Sequence, residues 1–261
     1  MQETQQILVS LVIPCYNESD RIVHLEQGVR EFRQKWDDSY EIIVVDDGSK
    51  DNTSDLIRQR LPQVQLITLR QNQGKGGALR AGVLAAKGQF ILTLDADMAA
   101  HPLELQKWLN LLPAHRFSSN QILIASRNHP ASKINAKSHR KFAGQIFNTL
   151  VQSLTPIKLS DTQCGFKLYP RPIGQLLFQD LYTRGWAHDI ELLYKAAYLH
   201  IEIIAMPIEW KHVDAEKINV MSDGIKMARE TSLIAYRYRF VKRFRKELQS
   251  LKAAYQQLNQ S

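Results

Sequence analysis

The chain has 261 residues, 44% apolar and 23% charged, which supports one large core with an appendage. Its two cysteines, Cys15 and Cys164, exclude a disulfide framework and a cysteine metal spacing, and point to a reducing compartment. The net charge of +8, from 34 basic and 26 acidic residues, favours an anionic partner: nucleotide, lipid phosphate, nucleic acid or anionic membrane. No apolar run reaches the roughly 20 residues that span a bilayer, and the polar Met1 to Gln6 lack the order of a signal peptide.

The first apolar run, Ile7 to Ile13, is ended by Pro14. Ile42 to Val45 is closed by Asp46-Asp47-Gly48-Ser49, and Leu66 to Leu69, Phe90 to Leu94 and Ile122 to Ala125 continue the series. Short runs rich in Ile and Val read as strands buried on both faces. Helical patterns separate them. Ile22, Leu25, Val29, Phe32 and Trp36 recur at spacings of three and four behind Ser19. Leu56 and Ile57 follow the cap candidate Thr53, and Leu79, Val83 and Leu84 follow Gly74-Lys75-Gly76-Gly77. Alternation of this kind predicts an α/β fold with a mostly parallel central sheet flanked by helices. Ligands of such sheets sit at the carboxyl ends of the strands. Pro14 to Glu18, Asp46 to Ser49 and Asp95 to Asp97 are therefore expected on one edge.

Beyond about residue 128 the pattern changes. Ser138 to Leu154 reads as a helix, Thr162 to Tyr169 as a turn and short strand, and Ile190 to Leu199 as a helix. Ile201 to Trp210 is extended and broken by Pro207. Ile225 to Lys246 carries eight basic residues against Glu230, with Ile234, Tyr238, Val241, Phe244, Leu248 and Leu251 at helical spacing. That is a basic amphipathic helix suited to an anionic membrane. The domain expectation is 1–220 as the body, with halves 1–125 and 126–220, and 221–261 as the helical tail. Tyr236, Tyr238, Phe240 and Phe244 among the basic residues could stack bases. The motifs below argue against nucleic acid.

Leu94-Asp95-Ala96-Asp97-Met98 sets two carboxylates one residue apart at a strand's end, an arrangement that can share a hard cation and its phosphate ligands. Val12 to Glu18, Val44 to Ser49 with Asp51-Asn52-Thr53, Asn72 to Ala78 and Leu94 to Asp97 together resemble the family 2 glycosyltransferases. The resemblance implies the nucleotide-diphospho-sugar transferase fold, GT-A. Ala125-Ser126-Arg127, Asp161 to Leu168, Trp186 to Leu192 and Ile208 to Val213 with Lys217 resemble the dolichyl-phosphate glucose and mannose synthases. Asp161 to Leu168 is most similar to the glucosyl branch. Two departures stand out: Ala99 occupies a place where mannosyl relatives often carry Gln, and the amino-terminal anchor of many eukaryotic glucosyl relatives is not visible.

The resemblance implies roles. Asp97 would be the direct Mg²⁺ or Mn²⁺ ligand, with Asp95 on the metal shell or ribose. Asp46 and Asp47 would contact base and ribose, where carboxylates accept hydrogen bonds. Pro14, Tyr16 and Glu18 would shape the nucleotide pocket. Gly74 and Lys75 are expected near phosphate, although the loop is not a P-loop. Arg127 and Arg140 are candidates for the acceptor phosphate, aided by Lys167 and Lys211. Asp189 is the base if the acceptor is a hydroxyl. The expected reaction is inverting transfer of glucose from UDP-glucose, or next mannose from GDP-mannose, to a polyprenyl or dolichyl phosphate at the cytoplasmic membrane face. The alternatives are transfer to a sugar hydroxyl, and a non-catalytic nucleotide-sugar-binding protein. The paired Asp95 and Asp97 count against the latter. The sequence carries no signal for oligomeric state.

Overall fold

The computed structural model describes residues 7–135, 147–211, 220–258 and 260. Its centre is a seven-stranded sheet in the order β3-β2-β1-β4-β7-β5-β8. The strands are β1 (Val9–Cys15), β2 (Tyr40–Asp46), β3 (Gln65–Thr68), β4 (Phe90–Thr93), β5 (Gln121–Ala125), β7 (Lys167–Pro170) and β8 (Glu202–Met206). Two short strands, β6 (Lys133–Asn135) and β9 (Glu209–Lys211), pair in parallel beside it. The helices are α1 (Ile22–Lys35), α2 (Thr53–Arg60), α3 (Lys75–Ala85), α4 (Glu104–Leu111), α5 (within 147–154), α6 (Arg171–Gln179), α7 (His188–Tyr198), α8 (Val220–Phe240) and α9 (Lys242–Leu258).

Side-chain alternation divides the core into two layers. Leu11, Ile13, Val44, Leu92 and Leu123 face one cluster, which α1 fills with Leu25, Val29 and Phe32. Val12, Ile43, Val45, Ile91 and Ile124 face the other, with Leu79 and Val83 of α3 and Ile190 and Leu193 of α7. Period-two burial on both faces is what a sandwiched sheet requires. The i, i+3, i+4 spacing of Leu105, Trp108 and Leu109 makes α4, and prolines at its start make α6, elements that the sequence reading passed over.

β1, β2, β3 and β4 run parallel, and β7 is antiparallel to both neighbours, β4 and β5. Burial on both faces leaves no cue to that reversal. β1 lies between β2 and β4, so the connection order switches across it and opens a crevice at the carboxyl ends. Cys15 pairs with Asp46, and Val12 with Thr93, so the segments after β1, β2 and β4 emerge on the same edge.

The tail departs from expectation. Helices α8 and α9 meet at Val241, and Ile234, Tyr238, Leu248 and Leu251 are buried in the second core cluster. The apolar stripe assigned to a membrane is thus covered by the protein's own domain. Among the described residues no helix is long and apolar enough to cross a membrane.

Candidate active site

After β1 the backbone turns through Asn17, which adopts a left-handed φ of 52°. Asparagine tolerates that region better than most residues. The turn is tied to the loop after β2: Asn17 N–H donates to Ser49 Oγ at 2.9 Å and Glu18 N–H to Thr53 Oγ1 at 2.8 Å. Asp51 joins the tie, and although burial opposes it, donation from Thr53 and Ser19 draws its carboxyl down to about 2. Pro14 is half-buried in the floor, while Tyr16 projects into solvent. The Glu18 carboxylate pairs with Arg21 at 2.6 Å.

Asp46 and Asp47 are both buried. Asp46 accepts the Ser49 N–H at 3.0 Å and the hydroxyls of Ser49 and Ser54. Asp47 reaches across to the glycine loop, accepting Gln73 N–H at 2.7 Å and Gly74 N–H at 2.8 Å. Burial raises the Asp47 carboxyl above its usual range despite those two donors, and Asp46 adds to the rise. Gly74 has φ 82°, and a Cβ there would lie 2.5 Å from the Arg184 carbonyl oxygen. Gly76 N–H donates to that carbonyl at 2.7 Å, and a Cβ on Gly76 would meet His188 Cβ at 2.6 Å. The glycines therefore exist for close approach to segment 183–188 as well as for the turn.

Lys75 opens α3 with its Nζ 2.5 Å from Asp95 Oδ1 and 5.1 Å from the Trp186 ring centroid. A cation at a helix amino terminus opposes the helix dipole. Burial also disfavours its charge, yet Asp95, Asp189 and Asp97 outweigh burial and raise its pKa. Trp186, half-exposed at the lip, covers this pair.

The Asp95–Asp97 turn is held from three sides. Thr93 Oγ1 donates to the Gly165 carbonyl at 3.0 Å, and a Cβ on Gly165 would lie 2.5 Å from Asp95 Oδ2. Asp97 Oδ1 accepts Ala99 N–H at 2.9 Å. Met98 has φ 56°, a region that costs L-residues about 1–2 kcal/mol. Its thioether lies so close to Gly28 of α1 that a Cβ there would be 2.7 Å from the sulfur. Packing over-determines the strained turn.

The basic residues of the second half separate. Arg127 forms a fork with Asp161, Nε–Oδ2 at 2.8 Å and Nη2–Oδ1 at 2.9 Å, and its backbone N–H adds a third bond at 2.9 Å. Lys167 is only 1% exposed, pairs with Asp189 at 2.8 Å and donates to the Cys164 carbonyl. The ammonium expected at an acceptor phosphate is thus engaged by Asp189 inside the protein. Burial opposes ionisation of Asp189, but the charges of His188, Lys167 and Lys75 outweigh it and hold the carboxyl below its usual range. Lys211 is brought beside the acidic turn, because its N–H donates to the Ala99 carbonyl at 2.8 Å while its ammonium stays exposed. Arg140 lies outside the described residues, as do 138–146 of the expected helix, His212, Val213 and Lys217.

Among the described residues no three His, Cys, Asp or Glu side chains converge as a metal cage. Two carboxylates with phosphate oxygens nevertheless suit Mg²⁺ or Mn²⁺, which take few protein ligands when a substrate phosphate supplies the rest.

The family model for Glycosyl transferase family 2 matches residues 10–176. The chain belongs to this family. The dolichyl-phosphate β-glucosyltransferase of Dictyostelium discoideum is 35% identical over 249 residues, covering 89% of this chain and 75% of the relative. The human protein of that name is 34% identical over 244 residues, covering 88% and 75%. Among solved structures, glucosyl-3-phosphoglycerate synthase from Mycobacterium tuberculosis, in complex with Mn²⁺, UDP and glucosyl-3-phosphoglycerate, superposes with a TM-score of 0.64. It is 19% identical, with coverage of 88% of this chain and 79% of that one. Mannosyl-3-phosphoglycerate synthase from Rubrobacter xylanophilus gives 0.56 at 16% identity, with coverage of 92% and 75%. The architecture of this family 2 glycosyltransferase is the GT-A fold.

Sequence reasoning assigned no role to four residues that hold this glycosyltransferase's site in shape: Gly28, Asp161, Gly165 and Trp186. Asp161, Gly165 and Trp186 fall inside motifs that resemble the family, which is a signal; the close contact of Gly28 leaves none in the sequence.

Proposed function

We propose that this chain is an inverting, metal-dependent hexosyltransferase. It moves glucose from UDP-glucose, or as the second choice mannose from GDP-mannose, onto a polyprenyl or dolichyl phosphate at the cytoplasmic face of a membrane. The observation that carries the acceptor choice is the Lys167–Asp189 pair. A hydroxyl acceptor must surrender a proton, and Asp189 is the residue the sequence offers as base. A carboxylate locked 2.8 Å from a buried ammonium is a weak base. A lipid monophosphate needs no base, because its second pKa lies near 6 by analogy with phosphorylated side chains. The names of the relatives support the same acceptor.

The roles then follow. Tyr16, Pro14 and Glu18 border the nucleoside, with Asp46 and Asp47 beneath. Asp97 and Asp95 would hold Mg²⁺ or Mn²⁺, whose charge would stabilise the departing nucleotide diphosphate. Lys75 keeps Asp95 oriented and adds a positive charge beside the pyrophosphate. Asp161 fixes Arg127 through Nε and Nη2, leaving Nη1 for an acceptor phosphate oxygen. Lys211, beside the acidic turn, would draw the same phosphate in. Attack from the face opposite the leaving group gives a β-linked product from an α-linked donor.

Purified protein, Mg²⁺, polyprenyl phosphate and radiolabelled UDP-glucose or GDP-mannose in separate reactions test this. Label is expected in the lipid phase, more from UDP-glucose. Label reaching only sugar hydroxyls, together with complete loss of turnover in Asp189→Asn, would refute the lipid-phosphate reading.

A further inference from the structure

The sequence pattern of the tail points to one apolar stripe, and that stripe is spent on the core. Helix α8 has a second one. Ile225, Leu233, Tyr236 and Phe240 are 69, 41, 57 and 61% exposed. At 3.6 residues per turn these positions share one side of α8, with Arg229 and Ser232, half a turn from Ile234 and Tyr238. A helix apolar on two opposite faces needs a cover for each. The domain covers one.

We propose that the outward face of α8, built by Ile225, Leu233, Tyr236 and Phe240 with Arg229 and Arg239, is the surface that lies on an anionic lipid bilayer; this rests on the membrane-borne acceptor proposed above. Three observations choose a bilayer over another occupant. First, charge. Across 224–240 the one carboxylate is Glu230, and its oxygens would lie 3.3 and 3.4 Å from a Cβ on Gly185, turned into the protein. The outward face therefore offers cations alone, and a second copy would bring the same sign against it. Second, residue type. Tyr236 and Phe240 pack ring to ring at 5.7 Å, and the Arg239 guanidinium sits 5.5 Å from the Phe240 centroid. Aromatic rings interleaved with long cationic side chains suit the depth at which headgroups meet acyl chains. Third, placement. The inner face of the same helix backs Gly185, the neighbour of Trp186, so a bilayer on the outer face lies one helix diameter from the site's lip. That is a workable distance for a lipid phosphate whose tail stays in the membrane.

Vesicle flotation decides it. Full-length protein is mixed with vesicles of phosphatidylcholine alone, or of phosphatidylcholine with a third phosphatidylglycerol. Wild type is expected to float with the anionic vesicles and to be released by high salt. Tyr236→Ser with Phe240→Ser, and separately Arg229→Gln with Arg239→Gln, are each expected to lower the bound fraction about tenfold, since apolar and electrostatic terms both contribute. Both double variants keep transfer to a short-chain polyprenyl phosphate dispersed in detergent. Unchanged flotation in the variants, or equal binding to neutral vesicles, overturns the proposal. So does a concentration-dependent dimer that the Ser variants abolish while vesicles never bind. Flotation without any transfer to lipid phosphate sinks the acceptor reading and leaves the surface standing.

Discussion

The Arg127–Asp161 fork is the sharpest place to perturb this protein, because it separates a positioning role from simple surface charge. Asp161 is 6% exposed at the side chain, and besides Arg127 Nε and Nη2 it keeps two backbone donors, Arg127 N–H at 2.9 Å and Gln163 N–H at 3.2 Å. Breaking a buried pair by removing one partner costs about 3–5 kcal/mol. The two remaining backbone donors soften that for Arg127→Ala, to about 2–3 kcal/mol. At roughly 2–4 °C per kcal/mol for a chain near this size, the melting temperature should fall by about 5–10 °C. Asp161→Ala leaves a guanidinium that is 36% exposed and can hydrate, so its cost should be smaller, about 1–2 kcal/mol. The double variant leaves no buried charge and should be no less stable than Arg127→Ala alone. At a temperature where each is folded, Arg127→Ala and the double variant should raise KM for the lipid phosphate alike, and Asp161→Ala should raise it less, because the released guanidinium keeps its charge. The pH dependence has a defined sign. Burial opposes ionisation of Asp161, but hydrogen bonding and charge from Arg127 outweigh it and lower the pKa in the folded state. Its stabilisation is complete above the ordinary carboxyl range and is lost as pH falls through the folded value. Melting curves from pH 7 down to 3 should show wild type converging on Arg127→Ala. Additive losses in the double variant, or an Asp161→Ala protein as stable as wild type, would show that the fork carries no such weight.

Gly165→Ala should leave melting near wild type, because the crowded atoms belong to the Asp95 side-chain tip, yet lower transfer about 100-fold by displacing that carboxylate; activity within threefold of wild type would contradict it. Gly76→Ala faces the Thr183 carbonyl at 2.7 Å and His188 Cβ at 2.6 Å, so it should destabilise by about 1–3 kcal/mol in a thermal or denaturant melt. Lys75→Ala should weaken UDP binding in calorimetry about tenfold through loss of a charge-assisted contact, and unchanged affinity would remove Lys75 from the donor site.

The parts legible in the sequence are those in which a single local run carries the signal. The apolar runs ending at Pro14, Asp46 and Leu94 announce β1, β2 and β4, and their shared direction brings three acidic or polar segments to one edge. What escapes is pairing across long separations. Nothing local says that Gly165 lies against Asp95, that the Arg184 carbonyl fills the place of a side chain on Gly74, or that Gly28 makes room for Met98. Arg127 and Lys167 illustrate a different limit. A basic residue beside such motifs reads as a phosphate ligand, and the carboxylate that engages it, 34 or 22 residues away in sequence, is identified only once the fold brings the two together. The tail shows the same limit on a larger scale. Spacing reveals a helix and an apolar stripe, but the occupant of that stripe is a tertiary fact, and the exposed stripe on the other side becomes visible only after the first is covered.

The charged groups around α7 connect these features. Asp189 and Glu191 stand in its first turn and Lys195 in its last, the arrangement the helix dipole favours at each end. Glu191 accepts the backbone N–H groups of Tyr182 and Thr183 at 3.0 and 2.7 Å and the Tyr238 hydroxyl at 3.0 Å, while Lys195 pairs with it at 3.0 Å and bonds the Asp180 carbonyl at 2.6 Å. A buried ion pair is a poor way to gain stability, since well-packed apolar side chains of the same volume do as well or better. This one fixes the loop at 182–187 from behind. That loop's Arg184 carbonyl receives Gly76, its Trp186 covers Lys75, and Lys75 holds Asp95. A continuous line of contacts thus runs from Tyr238 in α8 to the acidic turn after β4. A glycosyltransferase gains from carboxylates already oriented before its ligand arrives. Charge buried around α7 therefore makes sense as the rigid backing of the acidic turn.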